Sequence, residues 1–197
     1  MPILRRLTAL IAVLGLLAAC DTNNLKDPPV PMGDFAMGLN VVVEDTAQTV
    51  PISRKALPGE WKDAMTKAMV DRFGSYSGDR LFNFGISIDG YELAPPGVPI
   101  IASPKSVLIA TVSVWDDATQ TQFNPGGKRV VLVEGLSPES FIGSGWTQNR
   151  KQQMAKMAYK AALAVQNYLL DNPDIFGLPP RPHPTKVPNP EIVTSGK

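Results

Sequence analysis

The chain has 197 residues, with 19 lysines and arginines against 18 aspartates and glutamates, so its formal net charge is only +1. A balance this even excludes the strong electropositive field by which a protein attracts nucleic acid. The single cysteine excludes an intramolecular disulfide. Stability must therefore come from packing, which a hydrophobic content of 44% makes feasible.

The N-terminus has the features of an exported precursor. Arg5 and Arg6 precede an almost wholly apolar run over residues 7–17, which is shorter than the ~20 residues needed to span a bilayer as a helix. The small residues of Leu17-Ala18-Ala19-Cys20 close this run. The pattern resembles the lipobox of bacterial lipoprotein precursors.

The lipobox resemblance implies that residues 1–19 are a signal peptide and that Cys20 is acylated on its thiol and its new amine. Two or more acyl chains hold a protein stably in a membrane. We therefore expect a protein anchored in a cell membrane and facing the periplasm. Asp21 resembles the inner-membrane retention signal of enteric bacteria, but inner and outer membrane stay open. Cleavage at an ordinary secretory site, which would release a soluble protein, is the alternative.

Residues 20–37 predict a lipidated cysteine followed by a flexible tether, because this stretch is polar and rich in proline. Its 17 residues after the cysteine reach at most ~55 Å when fully extended. A single folded domain is expected over residues 38–177. Alternation at its start predicts a half-buried strand whose inward residues are Leu39, Val41 and Val43.

An apolar stripe at three- and four-residue spacing predicts a first helix that starts near Pro58 and ends at Gly74. Three strands are expected next. In the first of them Gly90 stands at a change of phase that is typical of a β-bulge. The longest strand, residues 106–116, is followed by the turn signal Asn124-Pro125-Gly126-Gly127 and by a returning strand, which together predict an antiparallel hairpin.

A second helix is predicted from about Asn149 to Leu170, with Asn149 and Gln152 forming a capping box. Residues 178–197 contain six prolines and predict a disordered tail. The order β-α-β-β-β-α predicts an α+β fold, a two-layer sandwich with a small, mostly antiparallel sheet and both helices on one face.

This layout, over residues 38–176, is similar to that of small envelope lipoproteins. They include the lipopolysaccharide-assembly lipoprotein, the auxiliary lipoproteins of ABC transporters and uncharacterised short lipoproteins of proteobacteria. The resemblance is architectural and transfers no binding residue to this chain.

The sequence offers little catalytic chemistry. The only histidine, His183, lies in the predicted tail, and one histidine with one cysteine cannot build a typical zinc site. We expect no metal, no cofactor and no enzymatic activity. A carboxylate-dependent cell-wall hydrolase is the remaining enzyme hypothesis. Its candidate acids lie at or near strand ends: Asp89, Glu92, Asp116, Asp117 and Glu134.

The leading interpretation is a non-catalytic accessory or adaptor lipoprotein of the cell envelope. The second helix carries only basic charges, which indicate either a solvated face or a surface for an acidic envelope protein or anionic lipid. These charges are Arg150, Lys151, Lys156 and Lys160. A carrier of a lipid-like ligand is the alternative, and its cavity would lie near Ile100 and Ile101.

Overall fold

The computed structural model of the protein describes residues 25, 27–95, 106–134 and 149–180. The described residues form six strands and three helices. In chain order these are β1 Phe35–Val43, β2 Gln48–Thr49, α1 Glu60–Phe73, β3 Arg80–Glu92, β4 Val107–Asp116, β5 Thr121–Gln122, β6 Lys128–Val133, α2 Arg150–Asp171 and α3 Pro173–Phe176.

The strands form one sheet with β3 near its centre. β1 and β2 pair with β3 in parallel on one side, and β4 pairs with it antiparallel on the other. β5 and β6 both pair antiparallel with β4. α1 and α2 pack against each other and against one face of this sheet. The predicted two-layer α+β fold is confirmed, and the two-residue strands β2 and β5 are additions to it.

Both long helices start at caps, of which the sequence predicted one. The side chain of Asn149 accepts a hydrogen bond from the Gln152 backbone N–H at 2.9 Å, and the reciprocal bond is also 2.9 Å, so the capping box is confirmed. At α1 the Glu44 carboxylate accepts from the backbone N–H groups of Gly59 and, at 2.7 Å, Lys62. An acid just past β1 thus satisfies the helix N-terminus.

The inner face of the sheet follows the predicted alternation in β3 and β4. Buried residues recur at every second position of β3 up to Ile88, where the register with β4 shifts by one residue before Gly90. The predicted bulge at Gly90 is therefore confirmed. The buried residues of the two strands are Phe82, Phe84, Ile86 and Ile88 in β3, and Leu108, Ala110, Val112 and Val114 in β4.

Strand β1 has the opposite phase from the one predicted. Its buried residue is Val42, which pairs with Ile86, whereas Leu39 is 65% exposed and Val41 is 54% exposed. The cause is a bulge, since three steps along β1 from Met37 match only two steps along β3. One extra residue moves every following side chain to the other face.

The bulge in β1 is held by Asn83 of the neighbouring strand. The Asn83 side chain accepts a hydrogen bond from the Leu39 backbone N–H at 2.7 Å and donates to Asp117 at 2.7 Å. A side chain at position 38 would collide with the Asn83 amide oxygen, so Gly38 is needed there.

The folded domain begins earlier than residue 38, and the predicted tether is correspondingly too long. Met32 and Phe35 are fully buried, and Phe35 lies 5.0 Å from Phe82 and 5.7 Å from Phe73 between ring centroids. Burial of these two side chains contributes about 1.5–3 kcal/mol each, which offsets part of a backbone ordering cost of about 1–2 kcal/mol per residue.

A chain of polar contacts also holds the segment that precedes β1. Tyr76 donates to the Val30 carbonyl at 2.7 Å and accepts from the Gln166 amide at 2.9 Å. Arg72 of α1 donates to the other end of the Gln166 side chain at 3.3 Å. Burial raises the pKa of Tyr76, so this hydroxyl keeps its proton and its role as a donor. Residues 27–32 thereby pack on the helix layer.

The C-terminal boundary also lies beyond the prediction. Phe176 of α3 and Leu178 are buried in the core, and Arg80 donates to the carbonyls of Phe176 and Gly177 at 3.3 and 3.2 Å. The predicted tail therefore does not start at residue 178. The remainder of that tail, residues 181–197, lies outside the described residues.

We predict that Phe35→Ala lowers the free energy of unfolding by about 3–5 kcal/mol, because it leaves a cavity among four aromatic rings. Leu39→Ala, four residues away on the exposed face, should cost less than about 0.5 kcal/mol. Urea denaturation followed by circular dichroism measures both. Equal, small losses would mean that residues 27–37 are a tether after all.

Candidate functional site

The face of the sheet opposite the helices, which we call the open face, carries two apolar ridges. The first ridge is formed by Leu39, Val41 and Val43 of β1, all exposed. The second is formed by Val131 and Val133 of β6, which are also exposed, beside their half-buried partners on β4. Exposed apolar residues grouped in this way mark interaction surfaces more often than single ones do.

Beside the first ridge the open face has a floor of small residues, whose Thr111 pairs with Arg129 of β6, while Val131 and Val133 pair with Ile109 and Val107. Val41 and Val43 pair with Gly85 and Ser87 of β3, which pair in turn with Ser113 and Thr111 of β4; the Ser113 hydroxyl donates to the Gly85 carbonyl at 3.1 Å. A Cβ at position 85 would stand 2.6 Å from that hydroxyl, so a larger residue there would displace the Ser113 side chain.

Sequence reasoning missed the open face because it placed the first ridge in the core. A signal for the open face was present in the sequence, because Val41, Val42 and Val43 place apolar side chains on both faces of β1. A continuous apolar run is typical of a strand with partners on both of its faces.

A buried carboxylate lies on the helix side of the sheet, just after β6. Glu134 is only 5% exposed, and the Lys156 ammonium lies 3.7 Å from its carboxylate. Neither oxygen of this carboxylate accepts a hydrogen bond in the part of the chain that the structure describes. Burial, and then the neighbouring Lys156, lower the pKa of Lys160, while Glu134 opposes the shift.

The structure divides the predicted basic helix face. Arg150 donates to the Glu60 carboxylate of α1 at 2.7 Å and to the Lys55 carbonyl at 3.2 Å, so it joins the two helices. Lys151 is exposed, whereas Lys156 and Lys160 are half-buried and lie toward Glu134. The predicted docking role of these four residues stays a prediction, and all four have intramolecular electrostatic partners.

The candidate acids of the hydrolase hypothesis serve separate local contacts. Asp89 accepts from the Thr111 hydroxyl at 2.6 Å, and Asp116 accepts from the Thr119 backbone N–H at 2.9 Å. Asp117 accepts from Asn83, as described above. The backbone bond to Thr119 is the main reason why the pKa of Asp116 is lowered. Asp89 lies on the open face and Glu134 on the helix face, so these two acids do not meet.

An open cleft of about 290 Å³ lies beside the N-terminus of α1. It is lined by Glu44, Ala56, Trp61 and Tyr91 among others, and the two aromatic rings lie 5.5 Å apart. The Tyr91 hydroxyl accepts from the Ala56 backbone N–H at 3.0 Å and Glu44 caps α1. The Tyr91 hydroxyl and the Glu44 carboxylate therefore both make hydrogen bonds that stabilise the fold.

Three predicted site residues, Cys20, Ile100 and Ile101, lie outside the described residues, and so does the rejected candidate His183. Glu92, at the end of β3, is half-buried. Within the described ranges, no three histidine, cysteine, aspartate or glutamate side chains are grouped as metal ligands. Across the same ranges, no helix has the length and apolar character needed to cross a membrane.

No family model and no curated protein matches the chain. Among solved structures, the chain is similar to a crystal structure of a Xanthomonas campestris protein of the DUF330 family. The TM-score is 0.30 and the sequence identity 8%, over 73% of this chain and 85% of that one. A likeness of this size carries no information about the chemistry of the site.

We predict that Lys160→Met raises the melting temperature at pH 7. The lowered pKa of Lys160 means that its charged form is less favourable in the folded state than in the unfolded chain. The unfolded chain therefore binds more protons between the folded-state pKa and the ordinary value of 10.5, and wild-type stability rises with pH in that window.

The gain from Lys160→Met should accordingly shrink as the pH approaches 10.5. Melting temperatures of both proteins from pH 6 to pH 11 measure it, and Lys151→Met on the exposed first turn is the matched control. A gain that is independent of pH, or a loss at pH 7, would contradict the prediction.

Proposed function

We propose that the protein is a lipid-anchored, non-catalytic accessory protein of the bacterial cell envelope, which presents a binding domain close to the membrane on its periplasmic side. The observation that carries the proposal is the short distance along the chain between two features. One is the lipobox that ends at Cys20, and the other is the docked segment that starts at Asp27.

The connection between anchor and domain is short. Six residues, 21–26, separate Cys20 from Asp27, and fully extended they span at most ~20 Å. The tether expected from sequence would have allowed ~55 Å. An accessory protein on so short a connection works beside the membrane, where it meets the periplasmic parts of membrane-bound proteins.

The described surface supports a binding role more than a chemical one. Asp89, Asp116 and Asp117 are each engaged by a neighbouring hydroxyl, backbone N–H or amide, which suits structural acids. The open face, in contrast, presents exposed valines and leucine without a structural task inside the described domain. Apolar area that is left in water in this way favours association with a partner.

We predict that Cys20→Ser abolishes incorporation of radiolabelled palmitate and moves the protein from the membrane fraction to the soluble fraction, because the thiol is the acceptor of the lipid. Labelling and fractionation of cells that make either form measure this. Thr22→Ser, a conservative change two residues away, is the matched control and should be labelled like the wild type.

A Cys20→Ser protein that is still labelled and still membrane-bound would overturn the anchor. A wild-type protein recovered unlabelled from the soluble fraction would instead establish ordinary secretion.

A further inference from the structure

We propose that residues 27–32 form a detachable strap, whose undocking from the helix layer extends the reach of the domain from the membrane. The inference rests on the proposed function at one point, the lipid on Cys20, because reach has a meaning only for an anchored protein. Its other arguments come from the contacts of the strap and of the residues that follow it.

The strap is held by few contacts. Of its six residues, only Met32 is fully buried, Val30 is half-buried and the other four are exposed. The Tyr76 hydroxyl donates to the Val30 carbonyl at 2.7 Å, and the Gln166 amide donates to the Met32 sulfur at 3.8 Å. Within the described part of the chain, no backbone–backbone hydrogen bond joins the strap to a helix or a strand. One apolar side chain and one short hydrogen bond therefore provide most of the docking.

A cavity of about 50 Å³ lies between the strap and the ends of the two long helices. Pro28, Pro29 and Val30 line it from the strap, and Tyr76 and Gln166 line it from the helix layer. A space of this size has room for water, so the first half of the strap is not close-packed as a core segment is. When the strap leaves, Tyr76 and Gln166 keep the 2.9 Å hydrogen bond between them, and only the bond to Val30 is exchanged for one to water.

The strap ends at a hinge, and beyond this hinge the chain is firmly held. Gly33 is exposed and has a φ of +61°, which glycine adopts without the strain that a side chain would cause. The next residue, Asp34, accepts hydrogen bonds from the backbone N–H groups of Asp79 and Arg80 at 2.7 and 2.9 Å. Phe35 then enters the aromatic core. The strap can therefore leave by rotation at Gly33 while β1 stays in place.

The composition of the strap favours reversible docking. Three of its six residues are prolines, at positions 28, 29 and 31. Proline fixes φ and thus restricts the undocked chain, so less conformational entropy is lost when the strap docks again. Proline also lacks a backbone N–H, which leaves fewer donors that need a partner in either state.

Undocking changes the length of chain between the lipid and the domain. With the strap docked, residues 21–26 connect Cys20 to it and span at most ~20 Å. With the strap undocked, the connection consists of residues 21–33, which span at most ~43 Å. The anchored domain then reaches partners that lie about 20 Å further from the bilayer.

The first test measures how often the strap opens, by the reaction of an introduced cysteine with iodoacetamide. It uses the full-length, lipidated protein purified from membranes in detergent. Met32→Cys reports on the strap, and Ala36→Cys, at a buried position of β1 beyond the hinge, is the matched control. Mass spectrometry of the labelled peptides distinguishes the introduced thiol from Cys20.

Met32→Cys should react at least tenfold faster than Ala36→Cys. Its rate should be independent of urea below the unfolding transition, because local undocking exposes little surface. Equal rates that rise together with urea would show that the strap opens only with the whole domain, and would overturn the proposal. Reaction of Met32→Cys at the rate of an unfolded peptide would also overturn it, because the strap would then not be docked.

The second test removes the hydrogen bond that holds the strap. Tyr76→Phe should accelerate the labelling of Met32→Cys about three- to tenfold, because only the docked state loses the bond to Val30. Tyr159→Phe is the matched control, since its hydroxyl bonds to Asp71 between the two helices and not to the strap, and it should leave the rate unchanged. Acceleration by both changes, or by neither, would overturn the proposal.

The third test measures the reach by neutron reflectometry of the lipidated protein on a supported bilayer. Met32→Asp places a charge in the buried site of Met32 and should keep the strap undocked. The gap between bilayer and domain should widen by about 5–10 Å, since the mean length of a flexible chain grows with the square root of its residue number. Val70→Asp, at an exposed position of α1, is the control and should leave the gap unchanged.

Melting temperatures show whether Met32→Asp keeps the fold, and the thiol labelling tests the strap independently of this variant. A folded Met32→Asp protein with the gap of the wild type would overturn the role of the strap in reach.

The two proposals fail separately. A protein without the lipid would be recognised by its lack of palmitate, while thiol labelling at position 32 would still report the undocking. A strap that opens only with the whole domain would leave the palmitate labelling of Cys20 intact.

Discussion

The insertion of Phe35 into the aromatic core is the contact on which the rest of the structure depends. Its ring lies within 6.3 Å of Phe73, Tyr76, Phe82 and Phe84, and thus joins β1 to α1 and β3. It fixes where the folded domain begins. Together with the bulge held by Asn83, it also decides which side chains of β1 point away from the helices.

The periodicity of the sequence was sufficient to predict the elements whose apolar residues all lie on one face. α1, α2, β3 and β4 were predicted in place, including the bulge at Gly90, because a phase change is visible where polar and apolar residues alternate cleanly. In β1 the corresponding bulge could not be seen in the sequence. Val41, Val42 and Val43 are all apolar, so an extra residue before them leaves no trace in the pattern.

The boundaries and the site could not be read from the chain because they depend on distant partners. The segment before residue 38 looks like a tether by composition, and only the cavity formed by Phe73, Tyr76 and Phe82 turns it into part of the core. The basic residues of α2 were found, but Glu60 and Glu134 decide what Arg150 and Lys156 do.

The parallel pairing of β1 with β3 also has a mechanical consequence. Tension applied to the N-terminal segment, balanced by a load on the sheet, would act first on residues 27–32 and then on β1. Hydrogen bonds of a ladder sheared in this direction share the load, whereas bonds peeled from one end break in sequence. On the proposed anchoring, the N-terminal segment thus enters the domain at a strand whose hydrogen bonds with β3 share the load.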